Sequence, residues 1–282
     1  MTINTICVCG GGTMGSGIAQ VSAHAGFKTI LYEVNETVLA NAKTSIEKNL
    51  NALVEKGKIS QSEKEKTFVR IQFTSAVQNC IADIFIEAII EKPEAKTALF
   101  DQLEELNRRE VIFASNTSSL SITALAGKMK NPERVIGMHF FNPAPLMKLV
   151  EVVNTGLTRP DIIQTICGLV QKMGKTPVVC KDSPGFIVNR VARPFYIESL
   201  RLVEGGLTSI EKIDMLLESA GFKMGPFKLM DLIGNDVNYA VSCSVYDQLG
   251  HPDRLKPSNI QKEKVDKGEL GRKTGRGYYG YS

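Results

Sequence analysis

The chain has 282 residues, room for one large domain or, more comfortably, two. Its 43% hydrophobic and 23% charged residues exclude a disordered chain, and its 24 Gly and 11 Pro follow no fixed period, which excludes a collagen-like one. No apolar run approaches the ~18 residues a membrane-spanning helix needs, and a net charge of +4 with both signs interspersed does not by itself imply nucleic-acid binding.

Met1 is followed almost at once by the apolar stretch Ile3-Asn4-Thr5-Ile6-Cys7-Val8-Cys9, with no basic n-region, h-region and cleavage site ahead of it. The six cysteines form no CxxC pair and are expected to be reduced thiols, most of them packed as small hydrophobes. Both features predict a cytoplasmic chain.

In chain order, strands are expected at 3–9, 28–33, 71–74, 84–90, 111–115, 135–140, 148–153 and 176–180. Most are short, rich in β-branched residues and nearly continuously apolar, as in a sheet covered on both faces. Helices are expected between most of them, for example at 14–26, 93–107 and 160–173, with Pro93 and Pro160 at tolerated first-turn positions. This alternation predicts an α/β fold, a Rossmann-type doubly wound, mostly parallel sheet. The crossover between Glu33 and Arg70 has 36 residues where about a dozen suffice, so a helical insertion is expected at about 36–69. Across 43–70 it carries seven Lys/Arg against four Glu. After Asp182-Ser183-Pro184-Gly185 the apolar spacing turns helical. The chain is therefore read as a dinucleotide-binding domain over 1–183 and a smaller all-helical C-terminal domain over 184–282, a plausible dimerisation surface.

Gly10, Gly12 and Gly15 form G-x-G-x-x-G between an apolar strand and an amphipathic helix. In that setting the three serve a tight turn, close approach to a pyrophosphate, and close helix–strand packing. Thr13 and Met14, inside the motif, open the helix whose N-terminus would hold the diphosphate. Glu33 closes the second strand 18 residues after Gly15. Its carboxylate suits ribose hydroxyls and repels a 2′-phosphate, which favours NAD over NADP.

Of three histidines, His24 in the first helix and His251 in a loop are expected to be structural, and no metal-ligand spacing occurs. His139 ends a strand, at the edge where open α/β sheets bind ligands. It and Glu151 each lie six residues from Pro145. If the chain returns antiparallel they become cross-strand neighbours, a carboxylate holding one imidazole nitrogen while the other meets substrate. Such a ring is a natural proton acceptor for an alcohol losing hydride, although a histidine satisfied within the fold accounts for the same pattern. Ser115-Asn116-Thr117-Ser118-Ser119 precedes a helix and reads first as N-capping. Asn189, just past the Pro184-Gly185 break, reads first as a helix-surface amide.

The chain resembles the 3-hydroxyacyl-CoA dehydrogenase family over essentially its whole length, and within it the bacterial short-chain, 3-hydroxybutyryl-CoA type. The likeness rests on GGGTMGSGIA at the first loop, EAIIEKPEAK at 87–96, SNTSSLSI at 115–122, MHFFNPAPLMKLVEVV at 138–153, DSPGFIVNR at 182–190 and GRKTGRGYYGY at 271–281. The resemblance implies NAD as cofactor and reversible oxidation of 3-hydroxybutyryl-CoA to acetoacetyl-CoA, in butyrate or fatty-acid metabolism. It implies His139 as base, Glu151 as its orienting partner, and Ser118 and Asn189 on the substrate oxygens or the nicotinamide side. Glu91, Lys96, Asn116 and Asn142 match positions lining the NAD site, and Lys273 a tail lysine that reaches the cofactor. Asn49 and Lys56 fall on the projecting helices where such enzymes hold coenzyme A. A homodimer through the C-terminal domain is implied, with no nucleic acid, membrane or metal. Alternatives are a non-catalytic, crystallin-like NAD-binding member, a dehydrogenase of a small hydroxy acid without CoA, and a nucleic-acid binder using the basic stretches 43–70 and 254–276. The last is disfavoured by interleaved acids and few aromatics.

Overall fold

The computed structural model describes residues 2–281. Eight short strands make one sheet: β1 (Thr5–Cys9), β2 (Lys28–Tyr32), β3 (Ile71–Thr74), β4 (Ile84–Glu87), β5 (Ile112–Ser115), β6 (Val135–Phe140), β7 (Leu149–Asn154) and β8 (Thr176–Lys181). Their spatial order is β3-β2-β1-β4-β5-β6-β7-β8. The six from β3 to β6 are mutually parallel, β7 runs antiparallel to β6, and β8 runs parallel to β7. This is the Rossmann-type, mostly parallel sheet. The chain builds outward from β1 to one side and then from β4 to the other. The crevice for a ligand therefore opens at the carboxyl ends of β1 and β4.

Around the sheet lie α1 (Thr13–His24), α2 (Glu36–Glu55), α3 (Gln61–Val69), α4 (Pro93–Leu106), α5 (Ile122–Ala126) and α6 (Pro160–Lys172). Ile6, Val8, Leu31, Ile84, Ile86, Ile112, Ala114, Ile136 and Met138 are buried together in one core, as strands covered on both faces require. Between β2 and β3, α2 is capped by Asn35 and buries Ala42, Ile46 and Leu50 at i, i+4 and i+8. Ser60 and Glu63 open α3 with a reciprocal capping box. The lysines counted at 43, 48, 56 and 58 are exposed.

Three expectations need correction. The strand anticipated at 84–90 stops at Glu87, because the Glu87 carboxylate accepts the N–H of Ile89 at 2.7 Å and turns the chain out of the sheet. The strand at 176–180 is apolar but not covered on both faces: it is the sheet's edge, and Val179 is 48% exposed. The hydroxyls at 115–119 do not cap α5. Ser121 does, accepting from the Ala124 N–H at 3.1 Å.

The chain divides into two compact units, one up to Asp182 and one from Ser183 onward. The second is helical: α7 (Val188–Glu204), α8 (Ile210–Ser219), α9 (Pro226–Ile233), α10 (Asn235–Gln248) and α11 (Asn259–Asp266). Tyr196, Leu200, Ile213, Phe227 and Met230 form its core. Asp231 organises the C-terminal turn. Its two oxygens accept the N–H groups of Tyr278 and Tyr279 at 2.9 Å, the Asn235 amide at 2.9 Å and the Tyr281 hydroxyl at 3.0 Å. A Cβ at Gly277 would lie 2.0 Å from Asp231 Oδ1, so only glycine admits that approach.

None of the six cysteines is bonded to another. Cys7, Cys9 and Cys80 are buried, and Cys167, Cys180 and Cys243 are half-buried. Among the described residues no helix is long and apolar enough to cross a membrane.

Candidate active site

The loop after β1 has the geometry its glycines demand. Gly10 adopts φ +108°, and a Cβ there would stand 2.6 Å from the Ala88 carbonyl oxygen. A Cβ at Gly15 would fall 1.8 Å from the Gly10 oxygen, so α1 packs against the loop only with glycine there. At Gly12 the opposite holds: a Cβ would meet nothing within 4 Å. No side chain caps the first turn of α1, and Gly12 and Thr13 are exposed at the loop tip with Met14 half-buried behind them. An open space facing an uncapped helix N-terminus suits a diphosphate.

Beside the loop is a cavity of about 620 Å³ lined by Gly10, Gly12, Glu33 and mainly apolar side chains, among them Val34, Ile90 and Leu99. Glu33 is fixed at its rim by the N–H groups of Gly11 at 2.8 Å and Asn35 at 2.9 Å. An apolar slot with one oriented carboxylate fits an adenine nucleoside with both ribose hydroxyls free. The residues present therefore fit NAD.

Three strands along from β1, His139 and Glu151 face each other in register across β6 and β7. His139 Nδ1 lies 2.7 Å from Glu151 Oε2, with the ring 6% and the acid 0% exposed. A carboxylate can only accept, so Nδ1 carries the proton and the lone pair of the neutral ring sits on Nε2. The Phe141 ring leans on the imidazole at 4.5 Å between centroids and holds its plane. The corner between the two strands packs on the dinucleotide loop's helix: a Cβ at Gly17 would lie 3.1 Å from Ala144 Cβ and from Pro145 Cδ. Asn142, which opens that corner, is exposed.

Between the loop and the histidine runs a chain of polar contacts that the sequence reading only half saw. Glu87, wholly buried at the end of β4, accepts from Lys96 Nζ at 2.6 Å and Ser115 Oγ at 2.7 Å. Lys96, 1% exposed, also lies 3.1 Å from Glu91 Oε2. Its ammonium is thus spent beneath the surface and acts on the site through Glu91. Glu91 in turn gathers the 117–119 loop: the Thr117 hydroxyl, the Ser118 N–H at 3.2 Å and the Ser119 hydroxyl at 3.0 Å all donate to its Oε1. Burial pushes the Glu91 carboxyl up, but Lys96 and these donors outweigh it and leave the group below its ordinary range. Asn116 Oδ1 accepts the Phe140 N–H at 2.9 Å and so ties the end of β5 to the strand carrying His139.

Glu87 and Phe141 are given no role by the sequence, and Thr117 and Ser119 read there only as part of an N-capping run. The available signal was an acid closing the apolar run Ile84-Phe85-Ile86-Glu87 with a lysine nine residues on, since a buried acid needs a buried cation.

The remaining candidates lie elsewhere. Asn49 is exposed on α2 and Lys56, its C-cap, is exposed too, two helical turns further along. In the helical unit, Asn189 is half-buried in the first turn of α7, and Lys273 is ion-paired with Asp236 at 2.6 Å. His24 Nδ1 sits 3.4 Å from Thr67 Oγ1, and His251 pairs with Asp247 at 3.1 Å on the surface.

Comparison with known proteins agrees with this geometry. Residues 5–183 match the 3-hydroxyacyl-CoA dehydrogenase NAD binding domain, and residues 185–281 match the 3-hydroxyacyl-CoA dehydrogenase C-terminal domain. A 3-hydroxyadipyl-CoA dehydrogenase of Escherichia coli K12 is 47% identical over 99% of this chain, which spans 59% of that longer protein. A probable 3-hydroxybutyryl-CoA dehydrogenase of Bacillus subtilis is 40% identical over 100% of this chain and 98% of its own length. The crystal structure of an (S)-3-hydroxybutyryl-CoA dehydrogenase from Ralstonia eutropha superposes with a TM-score of 0.95 at 36% identity, covering all of both chains. The chain therefore belongs to the 3-hydroxyacyl-CoA dehydrogenase family, an oxidoreductase family whose cofactor-binding domain takes NAD.

Proposed function

We propose that the chain catalyses the reversible oxidation of a short 3-hydroxyacyl-CoA, 3-hydroxybutyryl-CoA in the simplest case, to the 3-oxoacyl-CoA. The observation that carries this is the buried His139–Glu151 pair at 2.7 Å, on the sheet edge that also bears the glycine loop. His139 Nε2 removes the hydroxyl proton, and Glu151 stabilises the imidazolium that forms. NAD, held by Gly10, Gly12, Thr13, Met14, Gly15 and Glu33, supplies the acceptor for the hydride leaving C3. In the reverse direction protonated His139 returns the proton to the forming alkoxide. Ser118, on the loop that Glu91 gathers, and Asn189 hydrogen-bond the substrate oxygen as charge develops.

Glu91, Lys96, Asn116 and Asn142 are assigned to the nicotinamide half of the cofactor site and Lys273 to the cofactor from the tail. Asn49 and Lys56 are assigned to coenzyme A, whose phosphates suit the basic excess on α2 and α3. The domain limits stay as read, 1–183 for the cofactor and 184–282 for substrate and dimerisation. The helical unit exposes Val191 at 72%, Leu207 at 74% and Leu216 at 67%, apolar surface that a homodimer would cover. The working compartment is the cytoplasm and the pathway butyrate or fatty-acid metabolism. A second acyl chain has a specific observation in its favour: the E. coli relative is named for 3-hydroxyadipyl-CoA.

The test is steady-state oxidation of NADH, and separately of NADPH, with acetoacetyl-CoA. Rapid turnover with NADH, and much slower turnover with NADPH, is expected. Absence of turnover with either would refute the assignment.

A further inference from the structure

Among its described residues the helical unit holds a buried cation with no anion beside it. Arg193, on α7, is 2% exposed, yet among the described residues no carboxylate lies within ion-pair distance of it. Its partners are neutral: Nε donates to the Asn189 carbonyl oxygen at 2.9 Å, and one terminal nitrogen donates to the Asn238 carbonyl oxygen at 3.0 Å and Ser242 Oγ at 2.8 Å. The Tyr196 ring covers one face at 4.9 Å. Burial pulls the guanidinium down to about 10, so it remains charged at neutral pH. A second donor stands with it. Asn238 is 1% exposed, its Oδ1 is taken by Gln261, and its Nδ2 has no partner. Buried charges are seldom retained without an opposite charge, and buried donors seldom without an acceptor. A carboxylate is the group that answers either deficit.

Position says which carboxylate. Arg193 follows Asn189 by four residues, on the same face of α7 and about 6 Å along its axis, and its Nε donates to the Asn189 main-chain carbonyl. If Asn189 holds the oxygen at C3, a carboxylate three bonds further along the acyl chain lies about 4 Å away, comparable with the single helical turn that separates Asn189 from Arg193. We propose that Arg193, with Asn238, is an anion site for the distal carboxylate of a six-carbon dicarboxylic 3-oxoacyl chain on coenzyme A. This rests on the function proposed above and narrows its substrate class.

The test uses the whole chain with NADH and three thioesters: acetoacetyl-CoA, 3-oxoadipyl-CoA, and the latter's distal methyl ester. The wild-type protein should show kcat/KM at least tenfold higher for the free acid than for its ester. Arg193→Met should lower the ratio of kcat/KM for 3-oxoadipyl-CoA to that for acetoacetyl-CoA by ~30-fold or more, the range for unpairing a buried charge, and Arg193→Lys should restore part of it. Equal turnover of acid and ester overturns the site without any variant. So does a parallel fall for both substrates in Arg193→Met, which makes the arginine a brace between α7 and α10. Turnover of none of the three would overturn the proposed dehydrogenase and this site with it, whereas acetoacetyl-CoA turnover without preference for the acid overturns this site alone.

Discussion

Glu151 and Asp231 are buried to the same depth, 0% and 1% exposed, yet they are satisfied in different ways. Asp231 accepts from two backbone N–H groups, an amide and a tyrosine hydroxyl, none of which changes charge near neutral pH. Glu151 accepts from an imidazole, the one side chain whose ordinary pKa lies close to 7. An acid surrounded by fixed donors is a fastener. An acid against a titratable ring lets a proton arrive and leave on the ring's far side.

Breaking the two pairs should therefore damage different properties. The largest effect on turnover is expected at His139: His139→Ala should lower kcat by ~10²–10⁴-fold, the range for a lost acid–base group. Near-normal turnover would remove the histidine from the chemistry. Asp231→Ala should instead cost about 3 kcal/mol or more in urea unfolding, because several donors are left unmatched in the interior. A stability within error of wild type would show that the C-terminal turn does not depend on its carboxylate. Glu151→Gln sharpens the contrast. It keeps an oxygen for Nδ1–H but removes the charge, so kcat should fall roughly 10–100-fold, a part of the acid–base contribution, while NAD affinity measured by fluorescence titration stays nearly constant.

The smallest effect concerns Glu91. Its carboxyl lies below the ordinary range, pulled there against burial by Lys96 and the 117–119 donors. A depressed acid stabilises the fold above its unfolded pKa and loses that contribution as pH falls through its folded one. The Ser118 amide resonance should therefore hold steady through the ordinary carboxyl range near pH 4.5 and move only at lower pH. In Glu91→Gln that acid-induced movement should vanish. A midpoint at or above 4.5 in the wild type would contradict the Lys96 pairing.

The two halves of the site were unequally legible in the sequence. The glycine loop is a contiguous run in which the absence of side chains is itself the code, and Gly10, Gly12 and Gly15 each stand where a Cβ would collide or where space is left open. The His139–Glu151 pair was legible through symmetry: two residues equidistant from a turn-forming proline meet if the chain folds straight back, and β6 and β7 do so in that register. The Glu87–Lys96–Glu91 chain was not legible as a unit even though its members lie within ten residues, because the spacing does not say whether Lys96 turns inward to the two acids or outward to solvent, and Ser115 joins Glu87 only when β4 and β5 pair. Nor was the exposure of β8, since an apolar strand reads the same at the centre of a sheet and at its edge.

What the amino-acid order determined alone was every feature written into neighbouring residues: helix starts at Pro93 and Pro160, the dinucleotide loop, the acid at the end of β2, and the change to helical spacing after Gly185. What only the tertiary structure decided was which buried charges found partners. Among the described residues Lys96 met two acids and Arg193 met none. The reason is physical. Backbone preferences act over a few residues and can be read in order, whereas the cost of a buried charge depends on atoms brought within a few ångströms by strands and helices far apart in the chain.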